Sequence, residues 1–177
     1  MKKSELRKEI KTVKSLLSAE EKRHCAAVVK AEIENSREFA GAKKVLLYHS
    51  LPDELSTVEM LSQWHTEKEV FLPTVEGDEL ILCRYTPERM KAGAFGIMEA
   101  CGESVRPDEI DLIIVPGTAF DTDRNRLGRG KGFYDRLLAD TGAYKIGVAY
   151  DMQVVDAVPC EPHDIKLDRI ITEKRTI

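Results

Sequence analysis

The chain has 177 residues, of which 42% are hydrophobic and 33% charged, a length and mixture that suit one globular domain with a full core. A formal net charge of −4 gives no whole-molecule attraction for nucleic acid, so any local cluster of cations must act on a small anion by geometry. Cys25, Cys83, Cys101 and Cys160 lie far apart with no C-x-x-C spacing, which argues against a zinc site and a disulfide framework and fits a reducing compartment.

In chain order, Ser4 is placed to cap a helix whose Leu6, Ile10, Val13 and Leu17 recur at helical spacing. Ser18 and Glu21 form an S-x-x-E capping box for a second helix carrying Ala26, Val29 and Ile33. Val45 to Tyr48 reads as the first buried strand, Thr57 to His65 as a helix and Val70 to Leu72 as a strand. Glu79 to Tyr85, after an E-G-D turn, reads as the second arm of a hairpin. Ile110 to Val115 and Ile146 to Tyr150 are parallel-type strands with a helix from Phe133 to Ala139 between them, and Ile170 to Ile171 closes the set. Alternating strands and helices give an α/β fold with a mostly parallel central sheet flanked by helices, as one domain over 1–177 with no repeat or linker. With a charged start and no long apolar run, a cytoplasmic protein without a membrane partner is expected.

The most informative stretch is Val115 to Leu138, where an apolar strand enters a glycine-rich cationic loop and then a helix. Gly128, Gly130 and Gly132 alternate with Arg129 and Lys131, so backbone N–H groups can turn toward an anion while side chains add positive charge. Arg126 is a third cation nearby. The loop is neither a Walker loop, because Gly132 follows Gly130-Lys131 where Ser or Thr would be needed, nor a dinucleotide fingerprint, because its spacing is G-x-G-x-G. Asp135, in the first turn of the next helix, suits either dipole complementarity or a magnesium ligand beside phosphate. Lys3 and Arg7 are i, i+4 neighbours able to reach one anion together. Glu54 and Asp53 read as an acidic turn, with His49 at the same strand end. In an open α/β sheet, ligands sit beyond the carboxyl ends of strands, where 49–54 and 117–132 both fall. Trp64 and Tyr85 read as packing residues. Asp121, Asp123, Arg124 and Asn125 read as a turn that presents Arg126.

The segment N-R-L-G-R-G-K-G-F-Y-D, Asn125 to Asp135, resembles the signature of the 5-formyltetrahydrofolate cyclo-ligase family, whose usual form is R-L-G-x-G-x-G-Y-Y-D. The likeness extends to K-x-x-L-R (Lys3, Leu6, Arg7), S-x-E-E from Ser18, L-Y-H-S-L-P-D-E from Leu47 to Glu54, F-L-P from Phe71, P-G-T-A-F-D from Pro116 and H-D-I-K-L-D from His163 to Asp168. It departs at Phe133, where Tyr is usual, at Asp53, where Gly is common in bacterial members, and at Ala100, where Pro commonly follows the Glu. Only the first departure is expected to touch the site.

The resemblance implies the fold shared with ribose-phosphate isomerase and coenzyme A transferases. It also implies ATP-dependent cyclisation of 5-formyltetrahydrofolate to 5,10-methenyltetrahydrofolate, with Mg²⁺ as cofactor, by a monomer. On that reading Lys3, Arg7, Arg126, Leu127, Gly128, Arg129, Gly130, Lys131, Gly132, Phe133 and Tyr134 bind ATP. His49 and Glu54 bind the folate with Arg129, Gly130, Lys131, Gly132 and Phe133; Arg129 and Lys131 serve the reaction itself; Asp135 and Asp164 hold the metal. His163 and Asp168 are expected to be structural. Two other readings stand beside it. A sugar-phosphate isomerase would use the loop without ATP or metal, and a single-strand nucleic-acid module would use Arg126, Arg129, Lys131 and Arg136 with Phe133 and Tyr134, a reading the acidic balance disfavours.

Overall fold

In the computed structural model, which describes residues 2–93, Gly96 and 98–177, the central sheet has seven strands among the described residues. Their spatial order is β12 (Arg169–Ile171), β10 (Tyr144–Val148), β7 (Leu112–Val115), β1 (Lys44–Leu46), β2 (Glu69–Glu76), β3 (Glu79–Arg84) and β6 (Ser104–Val105). The first five are mutually parallel, and β3 and β6 add antiparallel at one edge.

Both faces of the parallel part are covered, which explains why its strands read as unbroken apolar runs. Val45, Val70, Leu72, Leu112, Ile114, Ile146 and Val148 face one core with Val29, Ile33, Phe39, Met60 and Trp64. Those five come from α2 (Ala19–Glu34), α3 (Arg37–Gly41) and α4 (Val58–Trp64). The alternate residues Leu46, Phe71, Ile113, Val115 and Ile170 face a second core with Leu137 and Leu138 of α5 (Phe133–Ala139). A third, smaller cluster joins Leu6 and Ile10 of α1 (Lys3–Lys14) to Ala119, Leu127 and Val158.

The capping box of α2 forms as expected, with Glu21 N donating to Ser18 Oγ at 3.1 Å and Ser18 N to the Glu21 carboxylate at 2.8 Å. The expected start of α1 is corrected: the N-cap is Lys2, whose backbone N–H donates to Glu5 at 2.9 Å, and Ser4 lies inside the helix. α1 also ends before Leu17, because Ser15 Oγ turns back onto Thr12 O at 2.6 Å and Ser18 opens the next helix. β2 runs through Pro73 to Glu76, since its hairpin partner β3 pairs with it from Phe71↔Arg84 to Glu76↔Glu79 around Gly77, whose φ is 62°. The first strand is one notch earlier than expected, with Leu47 N still donating to Phe71 O at 2.9 Å.

Apart from β1 and β12, the strands of two or three residues escaped the periodicity. They are β6, the ribbon of β4 (Met90–Ala92) and β5 (Met98–Ala100), and a small sheet in the order β11 (Val154–Val155), β8 (Ala119–Asp121), β9 (Arg126–Leu127). That small sheet carries the cationic loop.

Candidate active site

The loop after β9 is held from behind by Asp121, which is buried. Its carboxylate accepts from Asp123 N and Asn125 N at 3.0 Å, Asn125 Nδ2 at 2.9 Å and Val158 N at 2.8 Å. The β8–β9 turn thereby closes even though Arg124 takes φ 64°, and the Asp121 group has the presenting role its sequence suggested. Beyond it, Gly130 and Gly132 adopt φ 104° and 70°, which side-chain-bearing residues resist. Gly128 is required for another reason: a Cβ there would come within 2.8 Å of the Arg126 guanidinium.

This loop forms one wall of a cavity of about 620 Å³. Tyr48, His49 and Glu54, from the carboxyl end of β1, form another; Lys3 and Arg7 of α1 and Glu161, His163 and Asp164 close it. Every predicted site residue lines it: Lys3, Arg7, His49, Glu54, the run from Arg126 to Tyr134, Asp135 and Asp164.

The roles differ from a simple ring of cations. Arg126 is buried, and its guanidinium donates to Asp135 Oδ1 at 2.6 Å and to Pro116 O at 3.3 Å. It therefore shapes the wall, while Lys131, exposed at the loop tip, lines the same cavity. Arg7 donates to Gly128 O at 2.9 Å, tying α1 to the loop. Lys3 faces the other way, toward Glu161 at 3.3 Å and Asp164 at 3.4 Å. Burial pulls its pKa down, but bonding to Glu161 and the two carboxylates' charge outweigh that and raise it. The i, i+4 pair thus spans the cavity edge and does not converge on one point.

On the opposite side Arg129 reaches across to the 51–55 loop, with NH2 2.7 Å from Asp53 Oδ1 and Nε 3.1 Å from Glu54 Oε1. The departure at Asp53 therefore does touch the site, against the expectation that it would not. Lys14, buried at the end of α1, donates to Asp53 O at 2.6 Å and Oδ2 at 3.2 Å. Burial raises the Asp53 pKa, yet the Arg129 hydrogen bond and the Lys14 charge hold it below the usual carboxylate value. Glu54 Oε2 accepts from Leu51 N at 2.9 Å and Glu54 O from Tyr150 OH at 3.0 Å. Burial and the nearby Cys25, Asp53, Glu173 and Glu54 push the Tyr150 phenol up to about 12. Burial also pushes the Tyr134 phenol up; its hydroxyl is enclosed and has no hydrogen-bond partner among the described residues.

Glu161, His163 and Asp164 present ligand atoms within 4.8 Å of one another. His163 lies 3.1 Å from Glu161 and lines the cavity, and Asp168 accepts from Lys145 N at 2.8 Å. Lys14, Tyr48, Tyr150 and Glu161 were not singled out from the sequence; Tyr48, inside the L-Y-H-S-L-P-D-E motif, and Glu161, two residues before H-D-I-K-L-D, carried a local signal. Trp64 packs on Phe39 at 4.5 Å, and Tyr85 meets His65 edge-on, both as packing residues.

A family model described as the 5-formyltetrahydrofolate cyclo-ligase family matches residues 1–173. The 5-formyltetrahydrofolate cyclo-ligase of Haemophilus influenzae is 34% identical over 181 residues, covering 96% of this chain and 97% of its own. Among solved structures, the 5,10-methenyltetrahydrofolate synthetase of Aquifex aeolicus superposes with a TM-score of 0.92 at 43% identity, covering 99% of this chain and 92% of that one. The synthetase of Mycoplasma pneumoniae superposes with 0.78 at 29% identity, covering 98% and 99%.

Proposed function

The chain belongs to the 5-formyltetrahydrofolate cyclo-ligase family, and on that premise we propose how this cavity carries out the ATP-dependent cyclisation of 5-formyltetrahydrofolate to 5,10-methenyltetrahydrofolate. The carrying observation is that a glycine and cation loop and a carboxylate-bearing strand end face each other across one cavity of about 620 Å³. That is the arrangement needed to bring a triphosphate against a pterin.

A formamide oxygen is a poor leaving group. In the first step it attacks the γ-phosphorus and ADP departs; in the second, N10 attacks the formyl carbon and loses its proton, and the former formyl oxygen leaves as phosphate. No protein nucleophile takes part. The protein's service is to place the reactants and neutralise phosphoryl charge, through Lys131 and Arg129 and through N–H groups exposed by Gly130 and Gly132. Lys3, Arg7, Leu127, Gly128, Phe133 and Tyr134 complete the nucleotide wall, and buried Arg126 supports it. Glu54, with His49 beside it, takes the pterin, whose adjacent amino and amide N–H groups suit a carboxylate acceptor.

Glu161, His163 and Asp164 present ligand atoms within 4.8 Å of one another, two of the three being carboxylate oxygens, which suits a hard divalent cation. Asp135 and Asp164 would hold Mg²⁺, which would offset phosphate charge when bound. We read residues 1–177 as one domain acting as a cytoplasmic monomer on small-molecule substrates, without nucleic acid or membrane. No described helix is long and apolar enough to cross a membrane.

The test is formation of the methenyl chromophore from 5-formyltetrahydrofolate, followed by absorbance with and without ATP, Mg²⁺ and chelator. Loss of product in each omission supports the reading, and an unchanged rate without ATP or in chelator removes it. Glu54→Gln should raise the folate KM and leave the ATP KM nearly unmoved, the mark of uniform binding to a part of the folate that does not react. The reverse pattern would exchange the two ends of the cavity.

A further inference from the structure

Arg129 divides its fork between two carboxylates, NH2 to Asp53 at 2.7 Å and Nε to Glu54 at 3.1 Å. A guanidinium left to itself favours both bonds to a single carboxylate. The division is imposed from behind: Lys14, almost wholly buried, grips Asp53 at both its carbonyl and its carboxylate, and Lys22 donates to Pro52 O at 3.2 Å. We propose that Asp53, anchored by Lys14, is a positioning residue for folate, holding the Arg129 fork off Glu54 so that the Glu54 carboxylate keeps acceptor sites for the pterin.

An ionised carboxylate offers about four acceptor sites. Glu54 spends one on Leu51 N and one on Arg129 Nε. About two then remain for the paired N–H donors of a pterin edge. A fork turned fully onto Glu54 would take a third site and lie in the carboxylate plane, where the pterin must approach. The carboxylate of Asp53 supplies the competing partner that prevents this. Stability is a poor explanation for the Arg129–Asp53 bond, since those side chains are 50% and 43% exposed and such surface pairs contribute little.

The inference rests on Glu54 as the pterin acceptor, and equilibrium binding of 5-formyltetrahydrofolate without nucleotide separates the two claims. Asp53→Asn should weaken folate binding about tenfold, the size expected for a lost charge-assisted bond, while ADP affinity stays put; the unfolding temperature falls as buried Lys14 loses its carboxylate partner, so binding is read well below it. Asp53→Glu should restore most of the affinity. Because Asp53 acts through Arg129, Asp53→Asn should add nothing in an Arg129→Gln background. Unchanged folate affinity in Asp53→Asn, alongside weakened binding in Glu54→Gln, overturns this proposal alone. So does an Asp53→Asn effect that persists undiminished without Arg129. Unchanged affinity in Glu54→Gln overturns the pterin assignment and this proposal with it.

Discussion

Asp135→Asn is expected to do two things, because its carboxylate faces both the cavity and a buried cation. The Arg126 side chain is 4% exposed and has Asp135 as its ion-pair partner at 2.6 Å. Neutralising Asp135 leaves a guanidinium enclosed against Pro116 O, Gly117 and Gly128 with only a weaker amide acceptor. Removing one member of a buried pair costs about 3–5 kcal/mol; the retained amide acceptor and the 28% exposure of Asp135 place this case near the lower end, about 3 kcal/mol. For a chain of this size, that corresponds to a fall of about 6–12 °C in Tm. Thermal unfolding followed by circular dichroism would measure it. Turnover at saturating ATP should fall as well, and adding Mg²⁺ in excess should not restore stability. A Tm within about 2 °C of the parent would refute the argument, showing that Arg126 does not depend on this carboxylate. A double replacement, Arg126→Met with Asp135→Leu, should recover much of the lost stability and none of the activity.

Lys131→Ala should lower kcat by about a hundredfold with the folate KM little changed, since the charge it faces grows toward the transition state; steady-state kinetics on both substrates would decide it. Gly117→Ala would put a Cβ 2.5 Å from Phe120 Cζ and 3.0 Å from Arg126 Cγ, so a loss of about 1–3 kcal/mol in urea unfolding is expected together with lower turnover. Asp151 is bonded at 2.7 Å to both Nε and NH2 of Arg175, and that pairing, opposed by burial and helped by Thr172, depresses its pKa. Its contribution is complete above the unfolded carboxylate value of about 4 and disappears as pH falls through the lower folded value. Urea midpoints should therefore show Asp151→Asn weaker than the parent at pH 7 and converging with it in strong acid. Cys25 is buried and its thiol is pushed up to about 11 by that burial and nearby Glu173. Iodoacetamide at pH 8 should label exposed Cys101 well before Cys25, as peptide mapping would show, and equal labelling would contradict the packing of α2.

What could be read from the sequence was local. The G-x-G-x-G loop announces itself because its residues need unusual dihedrals and adjacent charge at the same place, and the observed φ values at Gly130 and Gly132 meet that need. The α2 cap was legible for the same reason, being a four-residue chemical pattern. The central strands were visible as unbroken apolar runs because both their faces are buried. The small sheet that carries the loop was not, because its strands of two or three residues have no period to detect and, unlike β1, do not lie in a longer apolar run. The identity of Asp53 as a partner of Arg129 was equally hidden, for the two lie 76 residues apart. No spacing rule reports a bond whose geometry is set by the approach of two loops. Arg126 illustrates a third kind of miss: its charge was apparent, but its burial depends on Asp135, Gly117 and Gly128 closing around it.

The tie between α1 and the rest of the cavity has a consequence for how the chain is assembled in time. Lys3 meets Asp164 across 161 residues and Arg7 meets Gly128 across 121, so one side of the cavity closes through contacts between α1 and the last third of the chain. Entropy must be surrendered before such distant contacts return anything. During synthesis α1 emerges long before Ala119, Leu127 and Val158 and waits, its Leu6 and Ile10 unsheltered, until they have been made. Docking of this helix is therefore a late event, and its release is an early one. In the finished enzyme, amide exchange along α1 should outpace that of β7 and β10, so that the two parts of the cavity tied down by α1, Gly128 through Arg7 and Asp53 through Lys14, breathe together.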